Sequence, residues 1–349
     1  MTTPAVRTAE SVREQLLAFA PEIRIARRDA AAFFERVLAD DPTTAFYLES
    51  YRGTVSVLGG ETVAVYRVTY AHRDIPSSAV ILAGTGAEAE AFFHRGIGRY
   101  LPTAALCVPR SVDVGRIYQD FMVTYGAYYS NLLGIENESF SFPDSPWQYM
   151  ICRFRYRIGR VKLHMMETAV EEEVQRLSHL LFDPAMMPQT KAYVAHNYLA
   201  REVEYWLKED ANPLEESYMQ SAYGALINHR CVCQGYAEAY KRLMDKAGVA
   251  CEVLCGKIRG SAEYHAWNAV SFDGRVYYHV DVTWDASDGG GISWQYFCRS
   301  DREMNPTRIW TRRDGVDCTA EENIAALARS QIALKKTLFL SHGIDRKYL

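Results

Sequence analysis

Three residue types that together perform nucleophilic catalysis occur in order along the C-terminal half of the chain. Cys233 lies in CVCQGYAEAY, His265 in EYHAWNAVSF and Asp281 in RVYYHVDVTW. A thiolate attacks carbonyl carbon, an imidazole takes the proton of the thiol, and a carboxylate fixes the tautomer and orientation of the imidazole. We therefore predict a site with Cys233 as nucleophile, His265 as base and Asp281 as orienting carboxylate.

The elements around these side chains suit their roles. Residues 233–247 have the apolar spacing of a helix ending at Gly248, and 249–256, 263–272 and 275–284 have the character of strands. The nucleophile then lies at a helix N-terminus, where the helix dipole favours a thiolate and the N–H groups of the first turn can bind an oxyanion.

The hairpin that joins the last two strands sets a stricter condition. A two-residue turn at Asp273-Gly274 would put His265 and Asp281 on opposite faces of the sheet. A three-residue loop over 272–274, closed by a left-handed Gly274, would instead set His265 directly opposite Asp281, with Cβ atoms about 4.5–5.5 Å apart. We therefore predict a positive φ at Gly274 and a shared face for the two side chains.

These segments resemble a known family. CVCQGYAEAYKRLMDKAGVACEVLCG, followed by HAWNAV, DGRVYYHVDVTWD and YFCRSDREM, is similar to the bacterial branch of the transglutaminase-like superfamily. The resemblance is specific over 221–304 and weaker upstream through AHNYLAREVEYW. It implies an α+β, papain-like core with the nucleophile helix packed on an antiparallel sheet, and it assigns the same catalytic roles to Cys233, His265 and Asp281.

Other site residues follow from this resemblance and from proximity. Relatives often place a polar or indole side chain upstream of the cysteine to complete the oxyanion hole. The candidates near the nucleophile are Gln220, Tyr223, Asn228 and Gln234. Two aromatic residues beside the motifs, Trp267 and Trp284, are candidates for the walls of the substrate cleft.

The remainder of the chain divides into an N-terminal α+β region, 1–155, and a catalytic domain, 156–349. Long helices are expected early in the catalytic domain, at 161–182 and 190–209. The N-terminal region, which could bind a substrate or partner, is expected to contain helices at 9–40, 84–100 and 117–133, and a hairpin at 54–70 around Gly59-Gly60. A short strand or loop is expected at 104–113, and a strand from Trp147.

Composition excludes several classes of function. The 349 residues are 48% hydrophobic and 23% charged with a net charge of −4, as in ordinary folded proteins. This charge gives no reason to expect nucleic acid as a partner, and no apolar run approaches the length of a membrane span. Eight cysteines and no basic, apolar leader indicate reduced thiols and a cytoplasmic protein.

Two rival interpretations of the cysteines remain. Zinc could be held by Cys231, Cys233, Cys251, Cys255 and His265, but their spacing is not the C-x2-C of structural zinc sites, so no metal or cofactor is predicted. Cys251 and Cys255 lie on the same face of a predicted strand, so both are expected in the core. The domain could also be a catalytically silent binding module.

The predicted chemistry is the formation of an acyl-thioenzyme from an amide of a peptide or protein. Release of the acyl group by water gives proteolysis or deamidation, whereas release by an amine gives cross-linking. We expect hydrolysis, with amine transfer as the alternative.

Overall fold

The computed structural model describes residues 5–58, 61–126, 129–142, 145–286, 291–310 and 315–349. The chain forms two compact units: Met1–Phe121 with Gly134–Arg155, and Met122–Leu133 with Tyr156–Leu349. The expected hairpin turn at Gly59-Gly60 lies outside the described residues, whereas the strands on either side of it pair as expected.

The first unit contains two sheets, with strand orders β1-β3-β2 and β4-β5-β7-β6. Its core includes Val12, Ile23, Phe34 and Tyr66. In chain order the elements, three of which (α5, β6 and β7) run across the division between the units, are α1 (Ala9–Leu17), β1 (Glu22–Ile25), α2 (Ala30–Asp40), α3 (Pro42–Ala45), β2 (Leu48–Leu58), β3 (Glu61–Tyr70), β4 (Val80–Leu82), α4 (Gly86–Gly98), β5 (Thr103–Pro109), α5 (Val114–Tyr125), β6 (Leu132–Phe140) and β7 (Trp147–Tyr156).

The second unit places helices against a five-stranded sheet of order β13-β12-β11-β10-β14. The elements are α6 (Arg160–Leu181), α7 (Pro188–Glu202), β8 (Glu204–Tyr205), α8 (Pro213–Met219), α9 (Ala222–Leu226), β9 (Arg230–Cys231), α10 (Cys233–Ala247), β10 (Ala250–Ile258), β11 (Tyr264–Ser271), β12 (Tyr277–Val280), α11 (Val282–Asp285), β13 (Phe297–Arg299), α12 (Asp301–Met304), β14 (Arg308–Trp310) and α13 (Ile324–Ser341).

All pairings in the five-stranded sheet are antiparallel, and α10 packs on β10 and β11. The buried face of α10 includes Tyr236, Tyr240 and Leu243, and the helix ends at a left-handed Gly248 with φ of 73°. A glycine adopts that backbone conformation without the steric cost of a side chain. The expected α+β core, with the nucleophile helix on an antiparallel sheet, is confirmed.

Three expected helices are shorter in the structure, and the one expected at 190–209 ends at Glu202. The segment 9–40 contains strand β1 between α1 and α2, because Pro21 cannot continue a helix and the buried Ile23 and Ile25 alternate with partly buried neighbours as in a strand. The aromatic helix expected over 117–133 ends at Tyr125, and β6 begins at Leu132.

The hairpin between β11 and β12 has a different register from the predicted one. Ser271 pairs with Tyr277 and Asn268 with Val280, so five residues rather than three form the connection. The shift of two residues keeps the side-chain faces unchanged, since faces alternate with a period of two. Gly274 has the predicted positive φ, 73°. The prediction that His265 lies directly opposite Asp281 is wrong, because β12 ends at Val280.

Within the described ranges, no helix is long and apolar enough to cross a bilayer.

Candidate active site

Cys233 is the first residue of α10, as the sequence predicts. Val232 before it is extended, and its carbonyl accepts the N–H of Gly235 at 2.9 Å, which closes the first turn. The thiol is partly exposed and packs against a small apolar cluster that includes Ala237, Val253 and Ala266. The helix therefore presents a thiol at its positive end, supported from below by the sheet.

The absence of a side chain at Gly235 leaves the space that Cys231 occupies. A Cβ on Gly235 would lie 2.5 Å from Cys231 Cβ and 2.9 Å from the Ser221 carbonyl oxygen, which is closer than side chains tolerate. Cys231 is completely buried beneath this turn. Burial holds the pKa of the Cys231 thiol well above its ordinary value. Cys231 is thus a small packing residue that fits under the helix that carries Cys233.

His265 and Asp281 meet in the interior of the second unit. His265 Nε2 lies 2.7 Å from Asp281 Oδ2, and the side chains are 4% and 0% exposed. The imidazole also hydrogen-bonds Cys233, which leaves Nδ1 as the ring nitrogen for the thiol. Burial opposes the charged imidazole, but Asp281 and then Cys233 outweigh it and raise the pKa of His265 to about 9. The structure therefore brings the three predicted residues together.

Asp281 lies at the point where strand β12 ends and helix α11 begins. Its carboxylate caps α11, with Oδ1 accepting the Trp284 N–H at 3.3 Å, so the chain leaves β12 where the sequence predicts a strand up to residue 284. Burial opposes ionisation, yet the charges of His265 and Arg308 hold the pKa of Asp281 below its ordinary value.

Arg308 on β14 is the one charged partner of this carboxylate that the sequence did not reveal. Its Nε donates to Asp281 Oδ2 at 3.0 Å, and its Nη2 contacts the same oxygen. The arginine is 0% exposed. The rings of Trp284 and Tyr296 cover the guanidinium at 4.0 and 4.6 Å. A buried arginine is uncommon without a paired anion, so Arg308 and Asp281 form one buried ion pair.

The two tryptophans predicted to line the cleft differ in position. Trp284 is partly buried and lies over Arg308. Trp267 is 1% exposed, so its assignment to the cleft is wrong. Its ring lies parallel to His265, with centroids 5.9 Å apart. Because Trp267 lies on the sheet face that packs inward, it supports the imidazole from within the core.

A further cluster of His279, Asp301 and Cys318 has metal-binding residue types, with ligand atoms within 4.8 Å of one another. The indole N–H of Trp267 donates to His279 Nδ1 at 3.0 Å. Nδ1 is therefore unprotonated, and neutral His279 carries its proton on Nε2, which lies 2.9 Å from Asp301 Oδ1. A protonated nitrogen cannot bind a metal, so these contacts form a hydrogen-bond relay.

Of the cysteines in the zinc alternative, Cys233 contacts His265, but the four cysteines do not form a metal-type cluster with it among the described residues. The metal-type cluster just described is the one found among the described residues, and it includes none of Cys231, Cys233, Cys251 or Cys255. Cys251 is buried, and Cys255 is partly buried in the cluster that supports Cys233. Burial raises the pKa of Cys255 to about 12, so its thiol stays protonated near neutral pH.

The predicted oxyanion donors have other partners. Tyr223 stacks on Tyr218, with centroids 4.9 Å apart, and Gln220 ends α8. Asn228 lines a groove of about 650 Å³ together with Trp206 and Arg230. The side chain of Gln234 donates to Glu238 Oε1 at 3.2 Å. Tyr223 and Gln234 thus contact Tyr218 and Glu238, and the backbone of Gln234 belongs to the first turn of the helix that Cys233 begins.

Tyr205 is a neighbour of the thiol that sequence patterns missed, since the segment EYW was expected to continue a helix. It lies on β8, which pairs in parallel with β9, and Tyr205 is opposite Cys231. Burial and then the charge of a Cys233 thiolate raise the pKa of the Tyr205 hydroxyl. The pairing with β9 sets Tyr205 beside the strand that leads into Cys233, on a two-residue strand that no periodicity could distinguish.

Glu238 lies one turn after Cys233 on α10. It accepts hydrogen bonds from Ser130 Oγ at 3.1 Å and from the Ala222 N–H at 3.0 Å. Burial is the main reason why its pKa rises to about 7. Glu238 therefore links Ser130 and the first residue of α9 to α10.

A second histidine–carboxylate pair lies deeper in the same unit. His196 Nε2 is 3.1 Å from Asp285 Oδ2, and both side chains are completely buried. Asp285 also accepts the Tyr296 N–H at 3.0 Å. The motif Asp-x-Thr-Trp-Asp thus carries two buried acids, of which Asp281 contacts His265 and Asp285 links Tyr296 to His196 on α7.

Comparison with known proteins agrees with the geometry. Residues 175–282 match the family model of the Transglutaminase-like superfamily, a range that includes Cys233, His265 and Asp281. The chain thus contains a transglutaminase-like domain, and the resemblance seen in the sequence is confirmed. No curated protein matches the chain significantly.

Two solved structures are distantly similar. One is a "putative cysteine protease" from Cytophaga hutchinsonii, with 15% identity over 46% of this chain and 68% of that chain, and a TM-score of 0.28. The other is described as a TGase, with 10% identity over 82% of this chain and 80% of that chain, and a TM-score of 0.30. Both similarities are too distant to bear on the chemistry of the site.

Proposed function

We propose that the protein is a cysteine-nucleophile enzyme that hydrolyses amide bonds of peptides or proteins through an acyl-thioenzyme. The observation that supports this most strongly is the chain of contacts from Cys233 to His265 to Asp281, with 2.7 Å between the imidazole and the carboxylate. The match of residues 175–282 to the Transglutaminase-like superfamily supports the proposal, because this range includes all three residues.

The proposed reaction begins with transfer of the thiol proton of Cys233 to His265. The thiolate attacks the carbonyl carbon of the amide, and the carbonyl electron pair moves to the oxygen. His265 then gives its proton to the leaving nitrogen as the C–N bond breaks, which leaves a thioester on Cys233. In the second half, His265 removes a proton from water as the oxygen attacks the thioester; the C–S bond then breaks, the acid is released, and the Cys233 thiolate takes the proton back from His265.

Two groups are candidates for stabilising the oxyanion. The N–H of Cys233 stands at the positive end of α10, where a developing negative charge is favoured. The hydroxyl of Tyr205 is a neutral donor, and Tyr205 lies opposite Cys231, two residues before Cys233. We propose these two as the oxyanion donors in place of Gln220, Tyr223 and Asn228.

Water and an amine compete for the same thioester, so the acceptor must be determined by assay. Fluorescein-labelled casein is incubated with the enzyme, with and without dansylcadaverine. We expect peptide release without the amine, and loss of that release in Cys233→Ala. Incorporation of the dansyl group without peptide release would identify an amine transferase. Neither product, with alkylation of Cys233 unaffected by His265→Ala, would favour the silent binding module.

A further inference from the structure

Arg308 is enclosed as completely as any charged group in the second unit. Its guanidinium donates to Asp281 through Nε at 3.0 Å and to Thr307 Oγ1 through Nη1 at 2.7 Å. The rings of Trp284 and Tyr296 lie over the guanidinium, with centroids 4.0 and 4.6 Å from its central carbon. This packing fixes the guanidinium in one orientation and keeps water away from the pair.

The charge balance of the site depends on this arginine. Before proton transfer, Cys233 and His265 are neutral, so Arg308 is the cation that balances the buried carboxylate of Asp281. After transfer, thiolate and imidazolium cancel each other, and the carboxylate is again balanced by the arginine. The buried centre therefore remains neutral through the whole proton transfer, which avoids the large cost of an uncompensated buried charge.

We propose that Arg308 is a positioning residue of the active site: it holds Asp281 in place and supplies its counter-charge, so that His265 is free to release its proton to the leaving group. The proposal rests on the proposed function, because it concerns the same three catalytic residues. It goes beyond that function by adding a fourth residue to the site: Arg308 orients the Asp281 carboxylate and, through it, acts on His265.

The geometry explains how Arg308 limits the basicity of His265. Both cations bind the same oxygen, Asp281 Oδ2, so neither has the carboxylate to itself. Without the arginine, loss of the imidazole proton would leave Asp281 as a buried charge without a cation. The His265–Asp281 pair would then keep its proton to higher pH, whichever of the two atoms carries it.

The charged and titratable groups around this pair are few among the described residues. Cys233 faces His265 from α10, and Arg308 faces Asp281 from β14. The phenol of Tyr296 lies over the guanidinium. The titratable groups whose pKa values respond to the charge of Cys233 also include Tyr205, Cys231 and Cys255. Arg308 is thus the cation whose removal should change the proton affinity of the pair most.

The test is the rate at which iodoacetate alkylates Cys233 across pH 5–11, followed by peptide mass. An anionic reagent is attracted by the imidazolium, so its rate falls as His265 loses its proton. In the wild type we expect this alkaline midpoint near the His265 pKa of about 9. In Arg308→Gln the midpoint should rise by about one pH unit. An unchanged or lower midpoint would overturn the proposal.

Two further variants separate charge from packing. Arg259→Gln removes an exposed guanidinium that donates to the Arg308 carbonyl without touching Asp281, and its profile should match the wild type. Arg308→Lys keeps the charge but loses the two-pronged contact, so its midpoint should stay while its rate falls roughly tenfold. If Arg308→Gln does not fold, a folded Arg308→Lys enzyme with wild-type rates at every pH would refute the proposal.

Failure of the proposed function gives a different result. If His265→Ala alkylates at the wild-type rate, the thiol is not activated by the imidazole and the enzyme hypothesis fails. If His265→Ala slows alkylation but Arg308→Gln leaves the alkaline midpoint in place, only the role of Arg308 is refuted.

Discussion

Replacing Asp281 with asparagine tests the coupling between the carboxylate and the thiol. The substitution keeps the shape of the side chain but removes the charge that most raises the pKa of His265. The rise from 6.5 to about 9 corresponds to about 3 kcal/mol, or roughly 300-fold in the equilibrium that forms the thiolate–imidazolium pair. Part of that rise comes from Cys233 itself, so the expected loss is between about tenfold and 300-fold.

The assay is iodoacetamide alkylation of Cys233 at pH 7.5, with circular dichroism to verify folding. The variant also leaves Arg308 buried without its carboxylate, which should lower the free energy of unfolding by about 3–5 kcal/mol. The double variant Asp281→Asn/Arg308→Met removes that lone charge and should regain much of the stability without regaining reactivity. A folded Asp281→Asn protein that alkylates at the wild-type rate would refute the coupling.

Three other predictions concern the helix, the oxyanion site and the pH dependence of stability. Gly235→Ala should lower the free energy of unfolding by about 1–3 kcal/mol in urea titrations, because the new Cβ overlaps Cys231; unchanged stability would contradict the close packing. Tyr205→Phe should lower kcat on casein roughly 100-fold with KM unchanged, whereas Tyr264→Phe, which removes an exposed phenol next to His265 in the sequence, should have no effect. Since folding raises the pKa of His265, its stabilising contribution is complete below pH 6.5 and lost as pH rises towards about 9, so Tm should fall over this range more steeply in the wild type than in His265→Asn.

The sequence predicted the parts of the site that short-range patterns control. The helix starting at Cys233 and ending before Gly248 is present with the expected bounds, since apolar spacing and a left-handed glycine are local signals. The positive φ at Gly274 was likewise predictable. The shared face of His265 and Asp281 survived a register error of two residues, because side-chain direction depends only on whether the shift is even or odd.

The partners that come from distant segments could not be predicted. Arg308 is 27 residues beyond Asp281 on a three-residue strand, and nothing in RIW indicates a buried charge. Tyr205 lies on a two-residue strand that exists only through its pairing with β9. Trp267 was wrongly assigned to the cleft. The alternation of residues along a strand shows which side chains share a face, but not which face is covered by another layer of the structure.

Asp281 shows how capping overrides strand propensity. Val282 and Thr283 are β-branched, so the segment favours a strand up to Trp284. The carboxylate instead accepts the N–H of Trp284 and starts a helical turn. The Asp281 carboxylate therefore ends the strand, caps the helical turn and orients His265. None of these three roles can be predicted from the spacing of apolar residues.

The central claim, that Cys233 is a thiol activated by His265, is tested most directly by competitive labelling. The protein is treated with a limiting amount of iodoacetamide at pH 7, and the modification of each cysteine is measured by peptide mass. Cys255 is the internal control, because it is also partly buried in the same apolar cluster and stays protonated. We expect Cys233 to be labelled well before Cys255, and the preference to disappear in His265→Ala. Equal labelling of the two thiols, or a preference that survives the loss of His265, would contradict the account.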